Sequence, residues 1–210
     1  MKNEEIIKAL NKRYAVKTFN KTKKVSDEDL KTILESGRLA PSSLGIEPWK
    51  FIVVTNEDIR AKIRTASYDQ TKVTDASHII IITYRTDSEN LVSEIIERTA
   101  KIQNTNKETL APLQQMLSGA MSRPEPGKTS WIKAQSYIAL GMMIETASLL
   151  DIDNCPMEGF DSVKIDEILK LKEKNLSTAT ILAIGYRGDD VYATKPKVRR
   201  NYDEVVEIIN

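Results

Sequence analysis

Residues 78–85 read HIIIITYR, with four isoleucines in succession. β-Branched residues favour strands, and an apolar run without polar alternation predicts a strand that is covered on both faces. The segment TATILAIGYR at 178–187 has the same character. A third strand is predicted for WKFIVVT at 49–55 from its aromatic and β-branched content. These runs predict strands inside the molecule, with other elements packed against them.

Helical patterns surround these strands. Residues 2–12 place apolar side chains at helical spacing. Ser26 has the chemistry of an N-cap for a helix that ends near Gly37, and Asn56 has the same role for a helix that runs to residue 66. Helices and strands therefore mix along the chain.

The middle of the chain is also predicted to be helical. Residues 87–120 have a polar and less regular helical pattern, which the prolines and glycine of SRPEPGKTS (122–130) interrupt. Ser130 is the predicted cap of a long helix at 131–150. The second half of this helix is apolar on almost every face, so we expect it in the core or in a subunit interface.

The last quarter carries fewer signals. DNCPMEGFD (153–161) predicts a loop, and a charged helix is expected near 163–174. The tail DEVVEIIN (203–210) fits either a final strand or a final helix. Because no repeat or boundary is visible, residues 1–210 are predicted to form a single domain.

Composition excludes several classes of protein. The 210 residues are 40% hydrophobic and 29% charged, with a net charge of +1, so the electrostatic signature of a nucleic-acid binder is missing. The N-terminal stretch lacks the apolar core of a signal peptide, and a cytoplasmic protein is expected. The single cysteine, Cys155, and the single histidine, His78, leave no intramolecular disulfide and no Cys/His metal cluster.

Side-chain catalysis has little support in this sequence. No nucleophile–base–orienter set is available, because His78 begins an apolar strand, where a structural role is expected. Cys155 fits a small buried hydrophobe, and no Gly-rich dinucleotide fingerprint follows a strand. The protein is therefore either not an enzyme or an enzyme whose chemistry comes from a cofactor.

Four short segments could bind such a cofactor, although each also fits a structural role. RYAVKTF (13–19) carries Arg13 and Lys17 in an apolar context, and could be a solvated face or an anion site. LAPSSLGIEPWKF (39–51) and CPMEGFD (155–161) are tight loops that could present backbone N–H groups or serve only as connectors. In TKPKVRR (194–200), Lys197 and Arg199 lie two apart and would share a side of an extended segment, where they could clamp a phosphate.

The order of these segments resembles the FMN-dependent nitroreductase family over about residues 6–200. YDQTKVTDASHIIII (68–82) adds a fifth match, and the branch of NAD(P)H-dependent, oxygen-insensitive nitroreductases and dihydropteridine reductases is the most similar. The resemblance implies an α+β fold with a mixed, mainly antiparallel central sheet flanked by helices. It also implies a homodimer in which a C-terminal segment crosses to the partner.

The resemblance also implies roles for individual residues. Arg13, Lys197 and Arg199 would bind the FMN phosphate, and Lys17 and Lys72 would lie at the pyrimidine edge of the flavin. Glu158 and Gly159, in the loop that begins with Pro156 and Met157, would place backbone amides near flavin N5. Pro41, Ser42 and Ser43 would reach the cofactor across the dimer interface. The substrate side would involve residues 87–125, including Leu117 and Met121.

Several cofactor positions depart from the family pattern. Tyr14 and Ala15 replace a small polar pair, Gly45 stands where an asparagine is frequent, and Asp69 replaces an asparagine over the pyrimidine ring. An aspartate can accept a hydrogen bond from flavin N3 but cannot donate one to O4 as an amide does. These departures leave the substrate range and the redox tuning open.

The implied activity is transfer of two electrons from NADH or NADPH, by a ping-pong mechanism through FMN, to nitroaromatics, quinones or similar acceptors. Three alternatives remain at this point: another reductive enzyme of the family (ene or pterin reduction, or dehalogenation), a non-catalytic FMN carrier or redox sensor, and a helical interaction domain.

Overall fold

A computed structural model describes residues 2–209 of the chain, apart from the side chain of Glu89. The α-helices within that range are α1 (Asn3–Lys12), α2 (Asp27–Arg38), α3 (Glu57–Ala66), α4 (Lys72–Asp75), α5 (Ser88–Gln103), α6 (Ala111–Met121), α7 (Gly127–Leu149) and α8 (Ser162–Ile168). The strands are β1 (Trp49–Val54), β2 (His78–Arg85), β3 (Asp153–Met157) and β4 (Leu176–Gly185). Short 3₁₀ turns lie at Ser43–Gly45, Lys107–Leu110, Lys172–Lys174 and Tyr202–Glu204.

The strands form one sheet in the order β1-β2-β4-β3, and every neighbouring pair is antiparallel. His78 lies opposite Ile184, and Cys155 lies opposite Ala183. The expected α+β fold with a mainly antiparallel central sheet is confirmed. Within residues 2–209, parallel pairing is confined to one isolated bridge between Ala15 and Asn154.

The isoleucine run of β2 is buried on both faces, as its sequence predicts. Ile79 and Ile81 belong to a hydrophobic cluster with residues of α3 and α8. Ile80 and Ile82 belong to a second cluster with residues of α2 and α7. Because side chains alternate along a strand, one uninterrupted apolar run supplies both layers.

A third cluster packs beside the sheet. It joins α5 and α6 to the first turns of α7 and to Ile46, which follows the loop at residues 41–45. Leu117 and Met121 belong to this cluster, with 0% and 8% of their surface exposed. Both side chains, which were predicted for the substrate side, are therefore buried within this cluster. They help to hold the helical layer together.

The predicted helix starts are confirmed at α2 and α3 and wrong at α7. Ser26 Oγ accepts a hydrogen bond from Asp29 N, and Asn56 Oδ1 accepts one from Ile59 N. α7 begins at Gly127, so Ser130 lies inside the helix and does not cap it. The N-cap is Pro126, and the carboxylate of Glu125, one residue before it, accepts from Thr129 N in the first turn at 3.1 Å.

The segment after α7 is more regular than predicted. Residues 153–157 form β3, where a loop was predicted, because they pair with β4. Pro156 has no N–H to donate, and it is tolerated because β3 is an edge strand. The charged helix ends early, since α8 stops at Ile168 and Lys170 adopts a positive φ of 52°.

The tail has neither of the regular structures predicted for it. Residues 203–209 hold only the end of the 3₁₀ turn Tyr202–Glu204, and residue 210 lies outside the described residues. Across residues 2–209, none of the helices has both the length and the apolar character that a membrane crossing requires.

Candidate functional site

Three cations predicted to act together do lie together. Arg13 follows α1, and the Lys197 ammonium donates a hydrogen bond to the carbonyl oxygen of Leu10 in the last turn of that helix. Burial, and then the charge of Arg199, lowers the pKa of Arg13. The pKa of Lys197 is lowered by burial and then by the charges of Arg13 and Arg199. We call Arg13, Lys197 and Arg199 the cationic cluster. It brings the segment after α1 together with residues 197–199 near the other end of the chain.

The guanidinium of Arg13 is incompletely bonded. Its Nη1 atom is buried and has no hydrogen-bond partner among residues 2–209. Buried donors almost always have a partner, and leaving one unpaired costs about 1–3 kcal/mol. An anion with several acceptor oxygens would satisfy this donor and offset the repulsion within the cationic cluster.

Tyr14 contributes a second buried polar group. Its hydroxyl is buried beside the carboxylate of Asp190, which can accept its proton in a hydrogen bond. Burial, and then Asp190, raises the pKa of Tyr14 to about 12. The guanidinium of Arg187 stacks 4.8 Å from the centre of the ring. Tyr14 is therefore a neutral phenol at physiological pH, held beside the Asp190 carboxylate.

Backbone contacts fix the segment that follows. Val16 N donates to Asn154 O at 3.2 Å, which holds Ala15 and Val16 beside β3. Asp190 Oδ2 accepts from Lys17 N at 2.7 Å and from Thr18 N at 3.2 Å. Burial acts to raise the pKa of Asp190, but backbone N–H donors, including these two, outweigh it and lower the pKa. The Lys17 side chain remains exposed.

The loop after β3 is anchored from two directions. Thr180 Oγ1 donates to Met157 O at 3.0 Å, and the Tyr137 hydroxyl of α7 donates to the carboxylate of Glu158. Burial, and then Glu158, raises the pKa of Tyr137. Pro156 is half-buried and Met157 is buried, whereas Glu158 and Gly159 are exposed. The contacts hold the loop and leave its tip accessible.

The turn before α4 lies against this loop. Tyr68 and Asp69 adopt positive φ values of 54° and 55°, and Asp69 N donates to Arg64 O at 3.0 Å. Gln70 Nε2 donates to Gly159 O at 2.7 Å. The predicted residues Asp69 and Lys72 are thereby joined to the segment that contains Glu158 and Gly159.

The loop at residues 41–45 is separate from these segments. Ser42 Oγ accepts from Glu47 N at 2.9 Å, and Ser43 N donates to Gln135 Oε1 of α7 at 2.8 Å. Pro41, Ser43 and Gly45 are exposed. Among residues 2–209, no hydrogen bond joins this loop to the cationic cluster or to the loop after β3. The chain thus assembles four of the five predicted segments and leaves this one apart.

The loop is also strained. Leu44, Gly45 and Glu47 have φ values of 56°, 65° and 38°. Glycine adopts such values freely, but leucine and glutamate do not, and strain of this kind is concentrated at binding sites. A cavity of about 220 Å³ lies beside the loop, lined on its far side by Ile95 and Arg98 of α5.

Sequence reasoning missed three residues that organise these segments. Asp190 holds residues 17 and 18, Gln70 joins two loops, and Tyr137 holds the Glu158 carboxylate. Each acts through a partner distant in sequence, so no local spacing marks it. The one available signal was GDD at 188–190, where an acidic residue follows a strand end and can accept from nearby backbone amides.

The two residues set aside as structural behave as expected. Cys155 is 1% exposed within β3 and is not in a disulfide. His78 begins β2, where its Nδ1 lies 3.0 Å from Ser77 Oγ, and burial lowers its pKa. In the described part of the chain, no group of three His, Cys, Asp or Glu side chains could hold a metal ion.

Comparison with known proteins agrees with this architecture. Residues 10–186 match the model of the nitroreductase family. The chain is 38% identical over 219 aligned positions to a Staphylococcus haemolyticus protein named "Putative NAD(P)H nitroreductase", and the alignment covers 98% of both chains.

Solved structures have the same fold. The crystal structure of a "putative nitroreductase" from Bacillus subtilis matches with a TM-score of 0.86 at 23% identity, covering 98% of this chain and 99% of that one. A "putative nitroreductase in complex with FMN" from Exiguobacterium sibiricum matches with a TM-score of 0.81 at 22% identity, covering 100% of this chain and 98% of that one. On the family model and the Staphylococcus haemolyticus relative together, the chain belongs to the nitroreductase family.

Proposed function

We propose that this protein binds FMN and transfers two electrons from NADPH or NADH to electron-poor acceptors such as nitroaromatics and quinones. The observation that carries the proposal is the cationic cluster, in which the buried Nη1 of Arg13 has no partner among residues 2–209. The FMN complex of the Exiguobacterium sibiricum protein and the name of the Staphylococcus haemolyticus relative support the same cofactors.

The phosphate end of the site is the best defined. Arg13, Lys197 and Arg199 would donate charge-assisted hydrogen bonds to phosphate oxygens, and the anion would remove their mutual repulsion. The buried Tyr14 hydroxyl and the Ala15 backbone lie next to Arg13 in sequence and would line the same end.

The ring end would be formed by the joined loops. Lys17 and Lys72 would stabilise negative charge at the pyrimidine edge, where Asp69 could accept a hydrogen bond. The segment from Pro156 to Gly159 would present backbone N–H groups from an anchored loop. When bound, FMN would supply the two-electron chemistry between a nicotinamide donor and an electron-poor acceptor. The side chains therefore need only bind and orient.

The remaining segment, Pro41, Ser42, Ser43 and Gly45, would complete the site of a second copy in a homodimer. Two features of the surface support a dimer. The outward side of α7 presents Ala134, Ile138 and Gly141 at helical spacing, all exposed. The tail exposes Val198 at 86%, Ile208 at 74% and Ile209 at 88%. Burial of apolar groups this exposed would lower the free energy of the protein in water. We therefore propose that the tail crosses to the partner subunit.

The proposal treats residues 1–210 as a single domain. The sheet faces are covered by α2 and α7 on one side and by α3 and α8 on the other, and the third cluster shares α7 with these layers. A cytoplasmic location, where NADH and NADPH are available as electron donors, is part of the same proposal.

The test is an absorbance spectrum of the purified protein, before and after anaerobic addition of NADPH or NADH. We expect flavin absorption near ~450 nm that bleaches with at least one nucleotide and returns when a nitroaromatic or a quinone is added. A flavin that no nucleotide reduces would mean a non-catalytic FMN protein. A colourless protein that does not take up added FMN would overturn the proposal.

A further inference from the structure

The side-chain amide of Gln70 bridges two loops. Its Nε2 atom donates to Ser67 O at 2.9 Å and to Gly159 O at 2.7 Å. Both partners are carbonyl oxygens, which can only accept hydrogen bonds. The amide nitrogen, with two N–H groups, is therefore the end of the side chain that must lie between them.

The Gln70 amide packs closely against the backbone of Gly159. A Cβ atom added to Gly159 would lie 3.3 Å from Gln70 Nε2, tighter than ordinary van der Waals contact. Asp161 N donates to Ala66 O at 2.8 Å, just beyond the bridge. The end of α3 and the loop after β3 are thus joined by one side chain and one backbone hydrogen bond, although about 90 residues separate them in sequence.

We propose that Gln70 is a positioning residue that holds the segment containing Asp69 and Lys72 against the loop containing Glu158 and Gly159. This inference rests on the proposed function, because these segments would carry the pyrimidine edge and the N5 side of the flavin ring. Gln70 itself need not touch the cofactor. By fixing the two segments before FMN binds, it removes an ordering cost that binding would otherwise carry.

The first test uses the protein without FMN. In the Gln70→Ala variant, amides of residues 157–162 should exchange with deuterium about fivefold faster than in the wild type, because a hydrogen bond of about 1 kcal/mol is lost. Gln115→Ala, at an exposed position of α6, is the matched control and should leave that segment unchanged. Equal protection of residues 157–162 in the wild type and in Gln70→Ala would contradict the proposal that Gln70 holds this segment in place.

The second test reverses the hydrogen-bonding character of the side chain with little change in its shape. In Gln70→Glu, an ionised carboxylate would face two carbonyl oxygens. FMN should therefore bind about tenfold more weakly at pH 8, as measured by quenching of flavin fluorescence. At pH 5 a larger fraction of the introduced carboxyl, destabilised as an anion by those oxygens, is protonated and can donate again, so the loss should be smaller than at pH 8.

Controls separate this effect from other titrations. The wild type and Gln115→Glu, measured at both pH values, account for the FMN phosphate and for nearby charged residues, namely Arg64, Asp69, Lys72, Glu158 and Asp161. A Gln70→Glu variant that binds FMN as the wild type does at both pH values would overturn the role of Gln70 and leave the proposed function intact. If the wild type does not bind FMN at either pH, the proposed function is wrong. The exchange experiment needs no FMN and would still test whether Gln70 holds residues 157–162.

Discussion

Three positive charges at Arg13, Lys197 and Arg199 repel one another, and among residues 2–209 none of them has a carboxylate within 4 Å. By contrast, Arg85 is paired with Asp87 and Glu94, and the pKa of this arginine is raised. Burial, and then repulsion within the cluster, lowers the pKa values of Arg13 and Lys197, and both effects cost stability. Such a cost is typical of sites whose compensation comes from a ligand.

The double variant Lys197→Ala with Arg199→Ala should therefore weaken FMN binding by about 100-fold or more, since each charge-assisted hydrogen bond contributes about 1.5–3 kcal/mol. Titration of the apoprotein with FMN, followed by fluorescence, measures the change. Lys195→Ala with Arg200→Ala removes the same charge from the same segment and is the matched control. If both double variants lose affinity equally, the net charge of the tail matters and the cationic cluster does not.

At the scale of elements, the layers depend on close approach between α2 and α7. A Cβ atom on Gly37 would lie 2.1 Å from Met143 Cε and 3.0 Å from Met143 Cγ, and Met143 is fully buried. Gly37 thus makes room for the methionine that fills the space between the sheet and the two helices.

Gly37→Ala should lower the free energy of unfolding by about 1–2 kcal/mol, because overpacking of a core outweighs the gain in helix propensity. Urea denaturation followed by circular dichroism measures this change. Gly119→Ala in α6 has open space around the new methyl group and should leave stability unchanged or raise it by up to about 1 kcal/mol. A Gly37→Ala variant as stable as that control would show that Met143 repacks without cost.

Elements with strong local patterns could be predicted from the sequence. The isoleucines of β2 and the caps Ser26 and Asn56 depend on nearby residues, and their predictions were confirmed. β3 was missed because DNCPM gains its strand geometry only from pairing with β4. The start of α7 was misplaced because its N-cap is Pro126 and no capping serine or threonine marks that position.

The residues of the candidate site also divide into those that a local sequence pattern marks and those that it does not. Residues of the five segments carry a charge or turn signal, so the sequence could nominate them. The positions of Gln70, Tyr137 and Asp190 follow from partners that folding brings near, at sequence separations of 89, 21 and 173. No pattern within a window of a few residues contains that information.

At the scale of the whole molecule, the proposed dimer would bury the outward side of α7, where Ile138 is 41% exposed. A carboxylate placed there would have to leave water when the subunits associate, at a cost of several kcal/mol without a partner. Ile138→Glu should therefore convert a dimeric wild type to a monomer at micromolar concentration and weaken FMN binding, because Pro41–Ser43 of the second copy would be lost.

Analytical ultracentrifugation with and without FMN measures both effects. Val163→Glu, at an exposed apolar position of α8, introduces the same charge and should leave the dimer intact. An Ile138→Glu protein that remains dimeric would place the interface elsewhere.

The cationic cluster also sets an order of events during biosynthesis. Lys197 contacts Leu10 across 187 positions, so Arg13 leaves the ribosome long before its two neighbours are made. The four strands found among residues 2–209 are likewise synthesised before Lys197 and Arg199. The cationic cluster can therefore form only after the residues of all the strands described above have been made. FMN loading through this cluster, as proposed above, would consequently follow synthesis of the residues that form the sheet.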